Sequence, residues 1–232
     1  MSKLKIEKYE YDGFVYDITT SKHNNFYADG ILIHNCGKKK YVMSVLDSEG
    51  TRYKEPKVKI MGMESVKSST PVWSKKFLID IYKIGLYGNE DEMLDYLDTV
   101  RERFDTMDTS SIAIPSGINN IMKYMDEDGN YIKGTPKHVK AAITHNKMIE
   151  QMDLKKIPKI QDGDKIKYVQ LVDPNPTGEE TVAFDGYIPE EFNLEKYIDK
   201  DAIFEKSFLK PLRVFIEPIG WKEEKTVDLF SF

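Results

Sequence analysis

The sequence predicts a mixed chain: a short all-β segment first, then an α+β region that becomes mainly helical. Three observations carry this. Residues 6–34 place Tyr9, Tyr11, Phe14, Val15, Tyr16 and Ile18, then Phe26, Ile31, Leu32 and Ile33, in short β-patterned runs around the turn pair Asp29-Gly30. Residues 41–46 and 57–61 read as two further strands. Beyond them helical spacing takes over. Amphipathic helices are expected at about 72–86 and 90–105, the second carrying Met93, Leu97, Val100 and Phe104 on one face.

Some thirty residues of β pattern cannot bury enough surface to stand alone, so the first segment needs a partner. Further along, a helix is expected over 136–151 and strands over 165–172 and 181–184. Helices are expected again near 188–200 and 201–210, bounded by Pro189 and Pro211. The sequence contains no internal repeat and no low-complexity tract.

Composition narrows the function classes. The net charge of -5 over 232 residues argues against a generally basic nucleic-acid binder. A local basic strip is compatible with it, because phosphates respond to the nearby field. Such a strip exists: Lys38, Lys39, Lys40, Arg52, Lys54, Lys57, Lys59 and Lys67 crowd one stretch, while acidic residues dominate 87–108 and 179–205. With one cysteine, Cys36, no disulfide can form within the chain, which fits a reducing compartment. The start lacks an apolar signal core, and no run of about 18 apolar residues suggests a membrane span.

Ile33-His34-Asn35-Cys36 sets an imidazole, an amide and a thiol on consecutive residues. The Asn35 side-chain nitrogen can attack its own backbone carbonyl, forming a succinimide and cleaving the bond to Cys36. His34 can assist proton transfer to the leaving amine, and Cys36 can accept an acyl group by thioester exchange. The tripeptide alone reads as a surface turn, but its context does not. Val15-Tyr16-Asp17-Ile18 and Phe26-Tyr27-Ala28-Asp29-Gly30-Ile31-Leu32-Ile33-His34-Asn35 resemble the two C-terminal blocks of inteins, a β-rich horseshoe fold. The resemblance implies that Asp17 tunes the initiating nucleophile or the branched intermediate, and that His34 and Asn35 drive the last cleavage. Many inteins carry a histidine two residues before the phenylalanine; Asn24 stands there, with His23 one place further off. The N-terminal intein blocks are absent, so the resemblance implies a split intein that acts in trans with a partner chain.

From Gly37 onward, Lys38-Lys39-Lys40-Tyr41 is similar to the Lys-Lys-Arg-Tyr motif in the palm of family B DNA polymerases. Clustered lysines beside a tyrosine suit phosphate contacts with an anchor against sugar and base edges. The similarity continues through Asp47-Ser48-Glu49-Gly50-Thr51-Arg52-Tyr53, Lys59-Ile60-Met61-Gly62, Glu64 and Lys67-Ser68-Ser69-Thr70-Pro71. In the family the last of these leads from palm to thumb beside the primer strand. Ser116-Gly117-Ile118-Asn119-Asn120-Ile121, and His138-Val139-Lys140 through Thr144-His145-Asn146-Lys147, resemble thumb segments of tailed-phage polymerases. For these, polar loop residues and a solvated helix face compete evenly with direct DNA contact. His138 and His145 lie seven apart, with no acidic or cysteine partner at a ligand spacing.

The resemblance implies primer–template DNA binding by Lys38, Lys39, Lys40, Tyr41, Lys59, Lys67, Ser68, Ser69, Asn119 and Lys140. It implies a division into an intein fragment (1–35), a palm edge (36–62), a thumb (63–222) and a tail (223–232). The family's Tyr-x-Asp-Thr-Asp motif, whose aspartates hold two metal ions, does not occur. Asp105-Thr106-Met107-Asp108-Thr109-Ser110 has one residue too many and reads as a helix end. No cofactor is therefore expected here, and two magnesium ions are expected in the partner half. The end, Asp228-Leu229-Phe230-Ser231-Phe232, looks like the terminal peptide that binds the sliding clamp, through Leu229, Phe230 and Phe232. The expected place of action is the cytoplasm of a phage's bacterial host. Two rivals stand beside this reading: a non-catalytic DNA-binding or clamp-binding subunit with an inactive intein remnant, and an engineered intein chain. The intact trio His34, Asn35 and Cys36 argues against decay.

Overall fold

A computed structural model of the protein describes residues 25–28, 31–34, 40–48 and 51–224. The chain divides into two compact units, Met1–Lys39 and Lys40–Phe232. In the first, β1 (Asn25–Ala28) and β2 (Ile31–His34) pair antiparallel, Asn25 opposite His34 and Ala28 opposite Ile31. This is the hairpin expected around Asp29-Gly30. The strands expected from Tyr9 to Ile18, and Asp17 with them, lie outside the described residues.

The second unit opens with a longer hairpin than the sequence suggested, β3 (Tyr41–Ser48) against β4 (Thr51–Met61). Its register shifts between Val45 and Asp47, which are paired with Lys57 and Arg52, so Leu46 faces four β4 residues. Pro56 falls within that irregular stretch, where the ladder does not need its missing N–H. At the hairpin's base, Val42 and Ile60 pack against the main core, and the Ser44 and Tyr87 hydroxyls meet at 2.8 Å.

The two helices expected next are present nearly as read. In α1 (Val72–Tyr87), Trp73, Phe77, Leu78, Ile81 and Tyr82 recur at helical spacing and are all buried. A capping asparagine starts α2 (Glu90–Asp105): Asn89 Oδ1 accepts the Glu92 N–H at 3.0 Å. Met93, Val100 and Phe104 are buried, Leu94 joins them, and Leu97 is half-buried. The sequence Asp105–Ser110 is indeed a helix end. Asp108 caps α3 (Thr109–Ile112), accepting the Ser111 N–H at 2.9 Å and the Ser111 hydroxyl at 2.7 Å, which holds its carboxyl down at about 2.

β5 (Ile114–Gly117), β6 (Lys165–Gln170) and β7 (Thr181–Phe184) form one antiparallel sheet with β6 in the middle. β5 was missed in the sequence because Pro115 and Gly117 disguise it; at the sheet edge both are tolerated. Strand alternation divides the sheet's side chains between two cores. Ile114, Ile166, Tyr168 and Ala183 face α4 (Lys137–Gln151), while Val169, Val182 and Phe184 join the core of α1 and α2.

The reading of 188–210 needs correction. Residues 190–192 and 195–197 are single 3₁₀ turns, not a helix. The chain then runs as α5 (Lys200–Phe204), a π turn (Glu205–Leu209) and α6 (Lys210–Ile216), straight through Pro211. An α pattern would direct the residue-211 N–H to the Ser207 carbonyl; proline leaves that acceptor open. Buried Ser74 fills the role, its hydroxyl donating to Ser207 O at 2.5 Å. Trp73, Phe104, Phe204 and Phe208 tie this segment to α1 and α2, with the Trp73–Phe104 ring centroids 4.8 Å apart and Phe104–Phe204 4.9 Å. Past α6, Gly220 takes the left-handed conformation, and Arg213 grips both Glu205 and Glu223 (2.5–3.0 Å), holding the chain as far as Glu223.

His145 corrects the expectation of a solvated helix face. It is 2 % exposed, edge-on to Phe192, and its Nε2–H donates to the Pro158 carbonyl at 3.2 Å. Its neighbour Asn146 fastens the following loop through both amide atoms, to Ile160 O at 2.9 Å and from Ile160 N at 2.8 Å. Burial pushes the His145 pKa below its ordinary value. The unfolded chain then binds the extra proton first, so stability is full above the ordinary histidine range and falls as pH drops through it. Thermal melts from pH 8 to 5 are expected to show that fall, at up to about 1.4 kcal/mol per pH unit for this group. His145→Gln is expected to flatten it; an unchanged pH slope in that variant would assign the effect elsewhere.

Candidate nucleic-acid interface

The residues expected to contact DNA fall in separate places. Asn35, Cys36, Lys38, Lys39, Leu229, Phe230 and Phe232 lie outside the described residues, and His34 is placed as the last residue of β2. Lys40 is exposed just before β3. In the hairpin, Tyr41 pairs with Met61 and Met43 with Lys59, so Tyr41 and Lys59 share one face by the two-residue period of a strand. That face is opposite the one carrying Val42 and Ile60 into the core.

The stretch from Met61 to Pro71 turns the chain from this hairpin into α1. Ser68 and Ser69 are exposed, while Thr70 is buried, its hydroxyl donating to Glu64 Oε2 at 3.2 Å. Lys67 also ends on Glu64, as an ion pair, so part of its charge is already answered within the chain. Pro71 caps α1 without any side-chain hydrogen bond, which leaves the first-turn amides and the positive end of a 16-residue helix available to an anion.

That helix end opens on a cleft of about 480 Å³. Its lining includes Glu64, Ser69, Thr70 and Pro71, Ser116 of β5, His138 of α4, and Lys206 and Lys210 of the π turn and α6. Lys206 donates to the Tyr168 hydroxyl at 2.6 Å, its ammonium 4.9 Å over that ring. Burial, then neighbouring Lys210, lowers the Lys206 pKa; burial, then Lys206, lowers that of His138. Lys206, Lys210 and His138 make the cleft basic, while Glu64, paired with Lys67, is the carboxylate that lines it. A phosphate there would meet two ammonium groups and small hydroxyls. Sequence reading had singled out Ser69 alone of this group as a contact. Lys206 and Lys210 are four residues apart and so share a helical face, a signal hidden because 201–210 read as an ordinary amphipathic helix.

Asn119 and Lys140 do not line this cleft. Asn119 is exposed in the loop after β5, which the turn at 161–164 pins through Ile118 N–Asp164 O (2.9 Å) and Ile121 N–Asp162 Oδ1 (2.8 Å). Lys140 is two residues beyond His138, hence turned away on the helix, and its ammonium sits 4.7 Å over the Tyr131 ring. Among the described residues no group of three or more His, Cys, Asp or Glu is arranged to hold a metal ion. Nor is any helix among them long and apolar enough to cross a membrane.

No family model matches the chain. It is 35% identical over 201 residues to a DNA-directed DNA polymerase of Escherichia phage RB69, covering 84% of this chain and 22% of that protein. To the DNA-directed DNA polymerase of Enterobacteria phage T4 it is 30% identical over 196 residues, covering 83% and 21%. The chain is thus homologous to phage DNA polymerases over most of its own length, and it spans about a fifth of theirs. A third similarity is short: 68% identity over 31 residues, 13% of this chain and 3% of the other, to a probable translation initiation factor IF-2 of Pyrococcus horikoshii.

Proposed function

We propose that this chain is the precursor of the palm edge and thumb of a split DNA-directed DNA polymerase, joined to its catalytic half by protein splicing in trans. The observation that carries the reading is the pair of unrelated similarities. Most of the chain is like phage polymerases, while a 31-residue stretch is like part of an archaeal translation factor. The two shares account for nearly all of the chain without needing to overlap. Polymerase and translation factor have no common chemistry, so a short segment held at higher identity than the rest behaves as an inserted element. Asp17, His34, Asn35 and Cys36 supply the groups that excision and ligation need.

After splicing, the hairpin face with Tyr41 and Lys59, together with Lys38, Lys39 and Lys40, would grip duplex phosphates. Lys67, Ser68 and Ser69 would follow the strand toward the cleft at the start of α1, with Asn119 and Lys140 as outlying contacts. The two magnesium ions of nucleotidyl transfer would supply charge neutralisation at the transferred phosphate. The described residues do not fit that pair: Asp108 is spent as a helix cap and Asp105 accepts from Arg101 at 3.2 Å. Their ligands belong in the partner half. The direct experiment mixes this chain with that half and looks for one ligated polymerase that extends a primer. If no ligated product forms although both halves are folded, splicing is not the chain's role.

The tail reading has its own test. Leu229, Phe230 and Phe232 would each bury about 1.5–3 kcal/mol of apolar side chain in a clamp pocket, before ordering costs. The Arg213 grip on Glu223 fixes the tail's point of departure. With the polymerase already on DNA, tethering makes a micromolar peptide contact effective. Deleting residues 228–232 is expected to leave synthesis on short templates intact and to cut clamp-dependent extension of long ones by tenfold or more. Undiminished long extension with the clamp would make the tail structural instead.

A further inference from the structure

We infer that the outer half of the β3–β4 hairpin is a protein-docking surface for the catalytic portion of the polymerase, through which the two halves associate before any bond between them is made. This rests on the proposed function. Val42, Ile60 and Ser44 tie only the base of the hairpin to the core. Beyond them β4 is exposed at Arg52, Lys54, Glu55, Pro56 and Lys57, and an isolated two-stranded ribbon is at best marginally stable in water. Its apolar side chain there is uncovered: Leu46 is 59 % exposed. Leu46 projects where the register breaks, an arrangement that discourages open-ended strand pairing and favours a side-chain contact with one partner.

The occupant follows from length and charge. The chain spans about a fifth of its polymerase relatives, so most of what surrounds this segment in them is polypeptide that this chain does not contain. On this outer part of β4 the charges are Arg52, Lys54 and Lys57 against Glu55 alone, which calls for an apolar partner surface rimmed by carboxylates. Nucleic acid fits less well. Bare Leu46 offers phosphates nothing, and the Lys57 ammonium is engaged 4.0 Å over the Tyr53 ring.

The test uses the full chain and, as probe, the catalytic half from which its own intein fragment has been removed, so that only the polymerase surfaces can meet. Size-exclusion chromatography and calorimetry are expected to show a one-to-one complex that survives nuclease treatment. Leu46→Asp is expected to weaken it at least tenfold with the chain's melting temperature unchanged. Should that variant fail to fold, Lys54→Glu with Lys57→Glu is expected to weaken the complex equally. No complex, unweakened variants of both kinds, or a complex lost to nuclease would each overturn the inference. If the unmodified pair still ligates while this probe does not bind, the docking surface alone is wrong and the splicing assignment stands.

Discussion

Mixed with its catalytic half, the Cys36→Ala chain is expected to release residues 1–35 and yield no ligated polymerase, whereas Asn35→Ala is expected to retain that fragment. The asymmetry follows from the bonds involved. Release needs the Asn35 side-chain nitrogen to bond its own carbonyl carbon while the carbon–nitrogen bond to residue 36 breaks and the departing amine gains a proton. Alanine at 36 leaves that amine in place, but alanine at 35 removes the attacking nitrogen. Ligation needs the Cys36 sulfur to take the acyl group from the partner's thioester, after which the freed amine captures it as a peptide. Without sulfur there is no acceptor, and ligation is expected to fall more than a hundredfold. His34 closes β2 one residue before this bond. His34→Ala is expected to slow release by about 10²–10⁴-fold, the usual range for a proton-transfer catalyst, without abolishing it. Intact mass spectrometry separates all three outcomes. Full ligation by Cys36→Ala would overturn the assignment of the acceptor.

What was legible in the sequence were the elements whose periodicity is undisturbed. α1, α2 and α4 each carry a run of apolar residues at helical spacing, and their bounds fall within a residue of those expected, with Pro71, Asn89 and Pro136 standing at their starts. The failures have physical reasons. Pro189 and Pro211 looked like equivalent helix boundaries. Pro211 is instead absorbed by a π turn and a serine hydroxyl from 133 residues away, a tertiary substitution that no local pattern announces. β5 was hidden by residues tolerated only at a sheet edge, and edges are defined by the fold. The basic strip at 38–67 was visible as composition, but Lys67 proved partly answered by Glu64. Lys206 and Lys210 became visible only when the fold placed them in one cleft with Ser69 and His138.

That cleft gives the second large effect. Lys206→Ala with Lys210→Ala is expected to weaken primer–template binding by the full chain about 10–100-fold at moderate salt, irrespective of base sequence. The slope of log affinity against log salt should fall by about one to two. Replacing Lys206 also strands the buried Tyr168 hydroxyl, so Lys206→Gln, which can still donate to it, separates lost charge from lost packing. Both Lys206 variants should lose affinity if charge is what matters. His138 adds a pH signature. Burial and Lys206 hold its pKa down in the unbound protein, and a phosphate in the cleft would raise it. The bound form therefore takes up a proton, and affinity is expected to rise as pH falls from 8 through the histidine range. His138→Asn should remove that dependence while changing affinity little at pH 8. Anisotropy titrations at three salt concentrations and two pH values decide the matter. An unchanged salt slope in the double lysine variant, with binding intact, would mean that the cleft holds no phosphate and that the DNA runs elsewhere on this surface.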